Sequence, residues 1–124
     1  EWVAQKRRGK IIHTVSMLSF QGGIRVASYT ASKHAVAGLT KLMANELAAK
    51  GITVNAIAPG YMVTDNTEAL RNDPKRYRAI LDRIPAGRWG EPGDLATTVL
   101  FFASPASGYV TGQVLAVDGG WLAR

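Results

Sequence analysis

Lys10-Ile11-Ile12-His13-Thr14-Val15-Ser16 opens a stretch that continues through Ser28-Tyr29-Thr30-Ala31-Ser32-Lys33 to Lys50, and its reading decides the fold. The β-branched run from Lys10 to Val15 is long enough for a strand and too short for a helix. Ser28 is a good N-cap, the segment after it reads helical to Lys50, and Gly51 supplies the stop. Ile52 to Ala58 is a second strand, buried on both sides by its composition. Strand, helix, strand in that order implies a right-handed parallel crossover and an α/β fold. Tyr29 and Lys33, four apart in the helix, share one face one turn apart. An ammonium within several ångströms favours the phenolate over the phenol, which makes Tyr29 a candidate acid/base near neutral pH. Ser16 lies just beyond the first strand, so its hydroxyl emerges at the carboxyl edge, where open α/β sheets bind ligands.

The connection from Ser16 to Ala27 is about a dozen residues, against a usual two to six in α/β units, and a wall over the active site accounts for the excess. Gly22-Gly23 within it is no dinucleotide fingerprint, since the spacing GxGxxG occurs nowhere in the chain. Val36, Leu39, Met43 and Leu47 are expected to form the core-facing stripe of the long helix, with Ala31, Ala35 and Gly38 as a small-residue face. Residues 1 to 9 read as a helix end with a break at Gly9. Tyr61 to Gly90 is too polar for core and too long for a plain loop. Asp73-Pro74 starts a short helix there, running to about Arg83, so the excursion reads as a lid. Pro92 opens another helix, carrying Leu95, Val99, Phe102 and Ala103 and ending at Ser104-Pro105. Gln113 to Asp118 is the third strand.

With 124 residues the prior is one domain around one core. The chain opens without methionine, in what reads as a helix end, so the expectation is a piece of a longer polypeptide. There is no cysteine, hence no disulfide framework, which fits a cytoplasmic location. No apolar run approaches the ~18 residues of a membrane span, and no membrane partner is expected. The net charge of +6 invites a nucleic-acid reading. The basic residues are scattered except for Lys6-Arg7-Arg8 with Lys10 and a group from Arg71 to Arg88. No nucleic-acid motif accompanies either, so none is expected as a partner.

The order Ser16, then Tyr29-Thr30-Ala31-Ser32-Lys33, then Asn55 with Pro59-Gly60 and Thr64, then Val117-Asp118-Gly119-Gly120 resembles the carboxyl-terminal half of the short-chain dehydrogenase/reductase family. YxxxK alone is weak. The serine thirteen residues before the tyrosine and the downstream PGxxxT make the set specific. The narrower stretches Ser16 to Arg25, Arg83 to Gly90 and Asp118 to Arg124 resemble its sugar-acid branch. The resemblance implies half of a Rossmann-like doubly wound parallel sheet, with three strands, two long helices and a helical lid over 61–90, and without the Gly-rich cofactor-binding half. The isolated chain is accordingly expected to be inactive.

What the family implies can be carried over residue by residue. Tyr29 gives or takes the hydroxyl proton, Lys33 tunes it and binds the nicotinamide ribose, and Ser16 binds the reacting oxygen. Pro59 and Gly60 line the cofactor, and the Met62 backbone and the Thr64 hydroxyl hold its carboxamide. The implied cofactor is NAD or NADP, with NAD favoured, and the implied assembly is a homo-oligomer, tetramer or dimer, pairing through the outer face of the long helix. A sugar acid is the expected substrate. Arg25, Arg83 and Arg88 are candidates for its carboxylate, because a guanidinium grips carboxylates through two parallel hydrogen bonds.

Several plainer readings stand beside these. Tyrosines at helix starts usually pack, and Pro59-Gly60 alone would be only a strand-ending turn. His13 and Asn55 read as structural polar residues, and His34 as surface or interface. Asp118-Gly119-Gly120 reads as a turn because a metal loop needs more ligands. An epimerase or dehydratase using the same pair, or a non-catalytic oligomerisation module, are the rival functions.

Overall fold

The computed structural model describes residues 1–124. Three strands, β1 (Gly9–Thr14), β2 (Ile52–Pro59) and β3 (Val114–Val117), form one parallel sheet in the order β1-β2-β3. A helix of 21 residues, α1 (Ala27–Leu47), connects β1 to β2. Between β2 and β3 lie α2 (Glu68–Arg71), α3 (Pro74–Leu81) and α4 (Ala96–Ala103). This is the Rossmann-like parallel arrangement expected from the sequence.

The sheet is built around β2, whose first seven residues are all buried. Ile52, Val54, Ala56 and Ala58 alternate onto one face, where Ile11 and Val15 of the β1 segment and Val36, Ala37, Met43, Ala44 and Leu47 of α1 pack against them. Full burial of a Val or Ile side chain contributes about 1.5–3 kcal/mol, so this seam is what docks α1. Lys10, one position off Ile11, points to the opposite face, and its Nζ donates to Ser107 Oγ at 2.9 Å beyond the end of α4. Since α4 packs on β1 and β2, helices cover both faces.

The helix boundaries show which local signals prevailed. Gly51, at φ +78°, stops the helical run as expected, where an L-residue would be strained. At the other end α1 begins at Ala27, not beyond an N-cap at Ser28. The Val26 carbonyl accepts from Thr30 N at 2.9 Å and starts the ladder without a side-chain cap. Leu39, placed in the core stripe by spacing, is exposed at 45%. Thr40 takes the buried position instead at 0%, its hydroxyl satisfied by Val36 O at 2.8 Å. A search for apolar residues passes over a threonine whose hydrogen bonds are made internally.

Elsewhere the differences are smaller. The amino-terminal segment is a turn closed by Gln5 N to Glu1 O and Arg7 N to Trp2 O, and Gly9 opens β1 where a break was expected. Asp73 caps α3 by accepting from Lys75 N and Arg76 N, as its Asp-Pro signature indicates, but α3 ends at Leu81. The first turn from Pro92 is a 3-10 turn, so the α-helical part of the second long helix is only Ala96–Ala103. The polar excursion after β2 nevertheless buries Met62, Ile84 and Trp89, each at 6% exposure or less. Its ends meet in an isolated parallel bridge between Met62 and Gly90.

Candidate active site

Ser16 stands two residues past the end of β1 and is 9% exposed. It caps the 3-10 turn Met17–Ser19, and its Oγ accepts from Leu18 N at 3.2 Å. Because Oγ is the acceptor in that bond, its own proton stays available for donation to a ligand oxygen. Two further bonds tie this loop to the start of α1. Ser19 Oγ donates to the Lys33 carbonyl at 2.8 Å, and Lys33 Nζ donates to the Thr14 carbonyl at 2.9 Å. The same Nζ lies 5.5 Å from the centre of the Tyr29 ring, and Tyr29 is 47% exposed. The structure thus brings the phenol, the ammonium and the serine loop together at the carboxyl edge of β1.

The turn after β2 borders this edge. Gly60 N donates to the Val117 carbonyl at 2.9 Å, and a Cβ on Gly60 would stand 2.6 Å from Asp118 Cα, so only glycine lets the two chain segments approach. The bridge at Met62 uses Gly90 N to Tyr61 O at 2.9 Å and Val63 N to Gly90 O at 2.8 Å, leaving the Met62 N–H unused. Thr64 N donates to Thr67 Oγ1 at 3.3 Å at the start of the next 3-10 turn. A cavity of about 230 Å³ lies between Gly60, Tyr61, Met62, Ile84, Arg88 and Asp118.

The three candidate arginines sit in different surroundings. Arg88 donates through two nitrogens to the two oxygens of Asp94, at 2.7 and 2.8 Å. Those bonds, with Glu91 N also donating to Asp94, hold the Asp94 carboxyl far below its ordinary range. The same pairing raises Arg88. Arg83 lies over the Trp121 ring, 4.0 Å from its centre. Arg25 adopts φ +62° in the loop between Ser16 and α1.

The polar residues read as structural are engaged in the framework. Thr40 gives its one hydroxyl proton to Val36 O, so its Oγ1 must accept from His13 Nδ1 at 2.9 Å, and His13 carries a proton on Nδ1. Asn55 Nδ2 donates to Val110 O at 2.8 Å and its Oδ1 accepts from Gln113 N at 3.1 Å. His34 is exposed, with Nδ1 3.0 Å from the Thr30 carbonyl. Asp118 spends both oxygens on Gly120 N and Leu122 N, each at 2.9 Å, which makes the turn expected of it.

Sequence reasoning missed the aromatic floor. Trp121 packs with Met17 and Ile84, while Tyr61 stands edge-on to both Trp89 and Trp121, at 5.4 and 4.7 Å between ring centres. The sequence spreads these rings over sixty positions with no shared period, so no local pattern could have assembled them.

A family model described as enoyl-(acyl carrier protein) reductase matches residues 2–122. The 2-dehydro-3-deoxy-D-gluconate 5-dehydrogenase of Escherichia coli K12 is 65% identical over 123 residues, covering 99% of this chain and 49% of that protein. A crystal structure of a putative 2-deoxy-D-gluconate 3-dehydrogenase from Agrobacterium tumefaciens with bound NADP superposes with a TM-score of 0.98 at 65% identity, covering 100% of this chain and 50% of that one. One of a putative NAD(P)-dependent gluconate 5-dehydrogenase from Beutenbergia cavernae, with NADP at low occupancy, gives 0.96 at 58% identity, covering 99% and 49%. The chain spans about half the length of the curated relatives it matches.

Proposed function

The chain belongs to the short-chain dehydrogenase/reductase family, and from that premise we propose that the whole protein is an NAD(P)-dependent oxidoreductase interconverting a hydroxyl and a ketone on a sugar acid. The substrate would be of the 2-keto-3-deoxygluconate or 2-deoxygluconate type, by analogy with the relatives named above. The observation that carries the reading is the position of Lys33 Nζ, 2.9 Å from the Thr14 carbonyl and 5.5 Å from the Tyr29 ring centre, beside the Ser16 loop.

In this reading Tyr29 gives or takes the proton of the reacting hydroxyl, with its exposed ring open to a ligand. Lys33 places positive charge beside the phenol, stabilising charge as it develops on the tyrosine oxygen. Ser16 donates its free hydroxyl proton to the reacting oxygen, a donor already held in place by Leu18 N. A nicotinamide bound here supplies or receives the hydride. Its carboxamide would be held by the unused Met62 N–H and by Thr64, along the turn at Pro59 and Gly60, and the ribose by Tyr29 and Lys33. That Met62 is buried while its N–H is left out of the bridge supports the fit. Both structural neighbours described above hold NADP, so nothing in them favours NAD, and NADP is the first cofactor to assay.

Among the arginines, Arg88 already has a carboxylate partner within the chain, so Arg25 and Arg83 carry the greater part of the proposal for the substrate's acid group. Residues 61–90 would act as the lid. A homo-oligomer would use the outer face of α1, where Leu39 and Leu42 are exposed beside Ala31, Ala35 and Gly38.

The test is a spectrophotometric assay of the full-length protein with NADP⁺ and NAD⁺ against sugar acids and their neutral polyol counterparts. Absorbance growth at the reduced-nicotinamide wavelength with an acid supports the reading. Conversion of the acid without net cofactor reduction, or no conversion of any acid, would overturn it.

A further inference from the structure

We infer that the Arg83 guanidinium, 4.0 Å over the centre of the Trp121 indole, is the seat of the substrate's carboxylate, with Trp121 as the positioning residue beneath it. The inference rests on the sugar-acid reading above and narrows it to one side-chain pair.

Three observations converge on Arg83. Its guanidinium lies 4.0 Å from the centre of the Trp121 ring, and Trp121 is 4% exposed, so the cation covers a buried indole. Three other arginines of the excursion are occupied. Arg71 donates to Thr67 Oγ1 and the Thr64 carbonyl, Arg78 pairs with Asp82 at 2.9 Å, and Arg88 pairs with Asp94. Arg83 makes no side-chain hydrogen bond and no ion pair. The nearest acid in sequence, Asp82, is taken by Arg78.

The platform is built into the fold. Asp118 fixes the turn through Gly120 N and Leu122 N, which sets Trp121 between two anchors. The indole packs in one buried cluster with Met17, the residue after Ser16, and Ile84, the residue after Arg83. A single ring therefore fixes the spacing between the serine loop and the arginine. The indole face attracts the cation and holds it over the ring, and a guanidinium presents its N–H groups in one plane, where a carboxylate accepts two parallel bonds. That contact also restricts the arginine in advance, so less freedom is lost when the anion binds. Arg76 and Arg25 likewise lack partners, but neither lies on an aromatic face, so neither is held in place this way.

The test uses the full-length enzyme with a sugar acid, its neutral polyol counterpart, and a separate titration of NADP(H) binding. Arg83→Met is expected to lower kcat/KM for the acid by about 10- to 150-fold, mainly through KM. Turnover of the polyol should stay within about threefold and the NADP(H) Kd should be unchanged. Trp121→Leu should reproduce the acid-specific loss, and Trp121→Phe, which retains an aromatic platform, should recover most of it. Thermal melts accompany each variant, and Arg83→Met carries the decision if Trp121→Leu fails to fold. Equal losses on acid and polyol, or wild-type acid turnover in Arg83→Met, would overturn the inference while leaving the dehydrogenase reading intact. Absence of acid turnover in the wild-type enzyme would overturn both.

Discussion

Lys33 Nζ donates to the carbonyl of Thr14 at 2.9 Å, so the ammonium is anchored to the end of a strand rather than free on the surface of its helix. The charge beside Tyr29 therefore depends on the register of β1 as much as on the helix. Lys33→Ala is expected to lower kcat by about 10²-fold or more and also to weaken NADP(H) binding, since one side chain is assigned to both tasks. Lys33→Arg should restore charge but not the point contact to Thr14, and should recover less than tenfold. Steady-state kinetics with a parallel cofactor titration measures both effects; unaltered cofactor affinity in Lys33→Ala would remove its binding role.

Tyr29→Phe deletes the proton donor and keeps the ring. Turnover should fall by about 10²-fold or more while the NADP(H) Kd stays near wild type. Near-normal rates would sink the assignment of Tyr29 as acid/base.

The Arg88–Asp94 pair gives a pH signature. The carboxyl of Asp94 is depressed in the folded chain, so its contribution is fully present above the unfolded carboxylate range, about pH 4, and is lost progressively as pH falls below it. Melting temperatures of wild type and Asp94→Asn should differ by a constant amount from pH 5 to 8 and converge under acid. Both groups lie at the surface, so the difference should be modest and should shrink in high salt.

His13 is assigned a structural role, and its partner provides the check. Thr40→Val, at a fully buried position, leaves the part-buried His13 Nδ1–H without its acceptor, and should cost about 1 kcal/mol in denaturant titration. The kcat of the variant should stay within about threefold of wild type. A large loss of turnover with unchanged stability would instead place His13 in the chemistry.

Gly60→Ala should be more damaging than its size suggests. The added methyl would stand 2.6 Å from the Asp118 backbone, so the turn at Pro59 must open. Loss of NADP(H) affinity together with a lowered melting temperature is the expected pair of results, and an unaffected variant would show that the two segments can separate freely.

How much of this was legible in the sequence follows from the range of each signal. Strand and helix identity come from short apolar runs, and the candidate Tyr29–Lys33 pair from a four-residue spacing, both local. The spacing puts Leu39 in the α1 stripe, but the core position is filled by Thr40, whose polarity is cancelled by the Val36 carbonyl one turn earlier and by His13 from outside any local window. The Tyr61, Trp89 and Trp121 cluster was invisible for the same reason. The partner of Arg88 lies only six residues away, but that spacing puts the two on no shared helix face, so nothing local marks them as a pair.

The bridge between Met62 and Gly90 has a consequence for how such a protein can diversify. Residues 63 to 89 leave and return at this bridge and are otherwise tied down near their far end, by Ala86 N to the Gly119 carbonyl at 3.0 Å and by Ile84 against Trp121, so the length of chain between Val63 and Asp82 is not set by the sheet. Closing a longer loop costs only about 0.6 kcal/mol per doubling. The part of the segment before Asp82 can therefore vary in length at little cost to the sheet. A replacement that keeps apolar residues where Ile84 and Trp89 sit could alter which molecules are admitted, while Ser16, Tyr29 and Lys33 stay in register on an untouched frame.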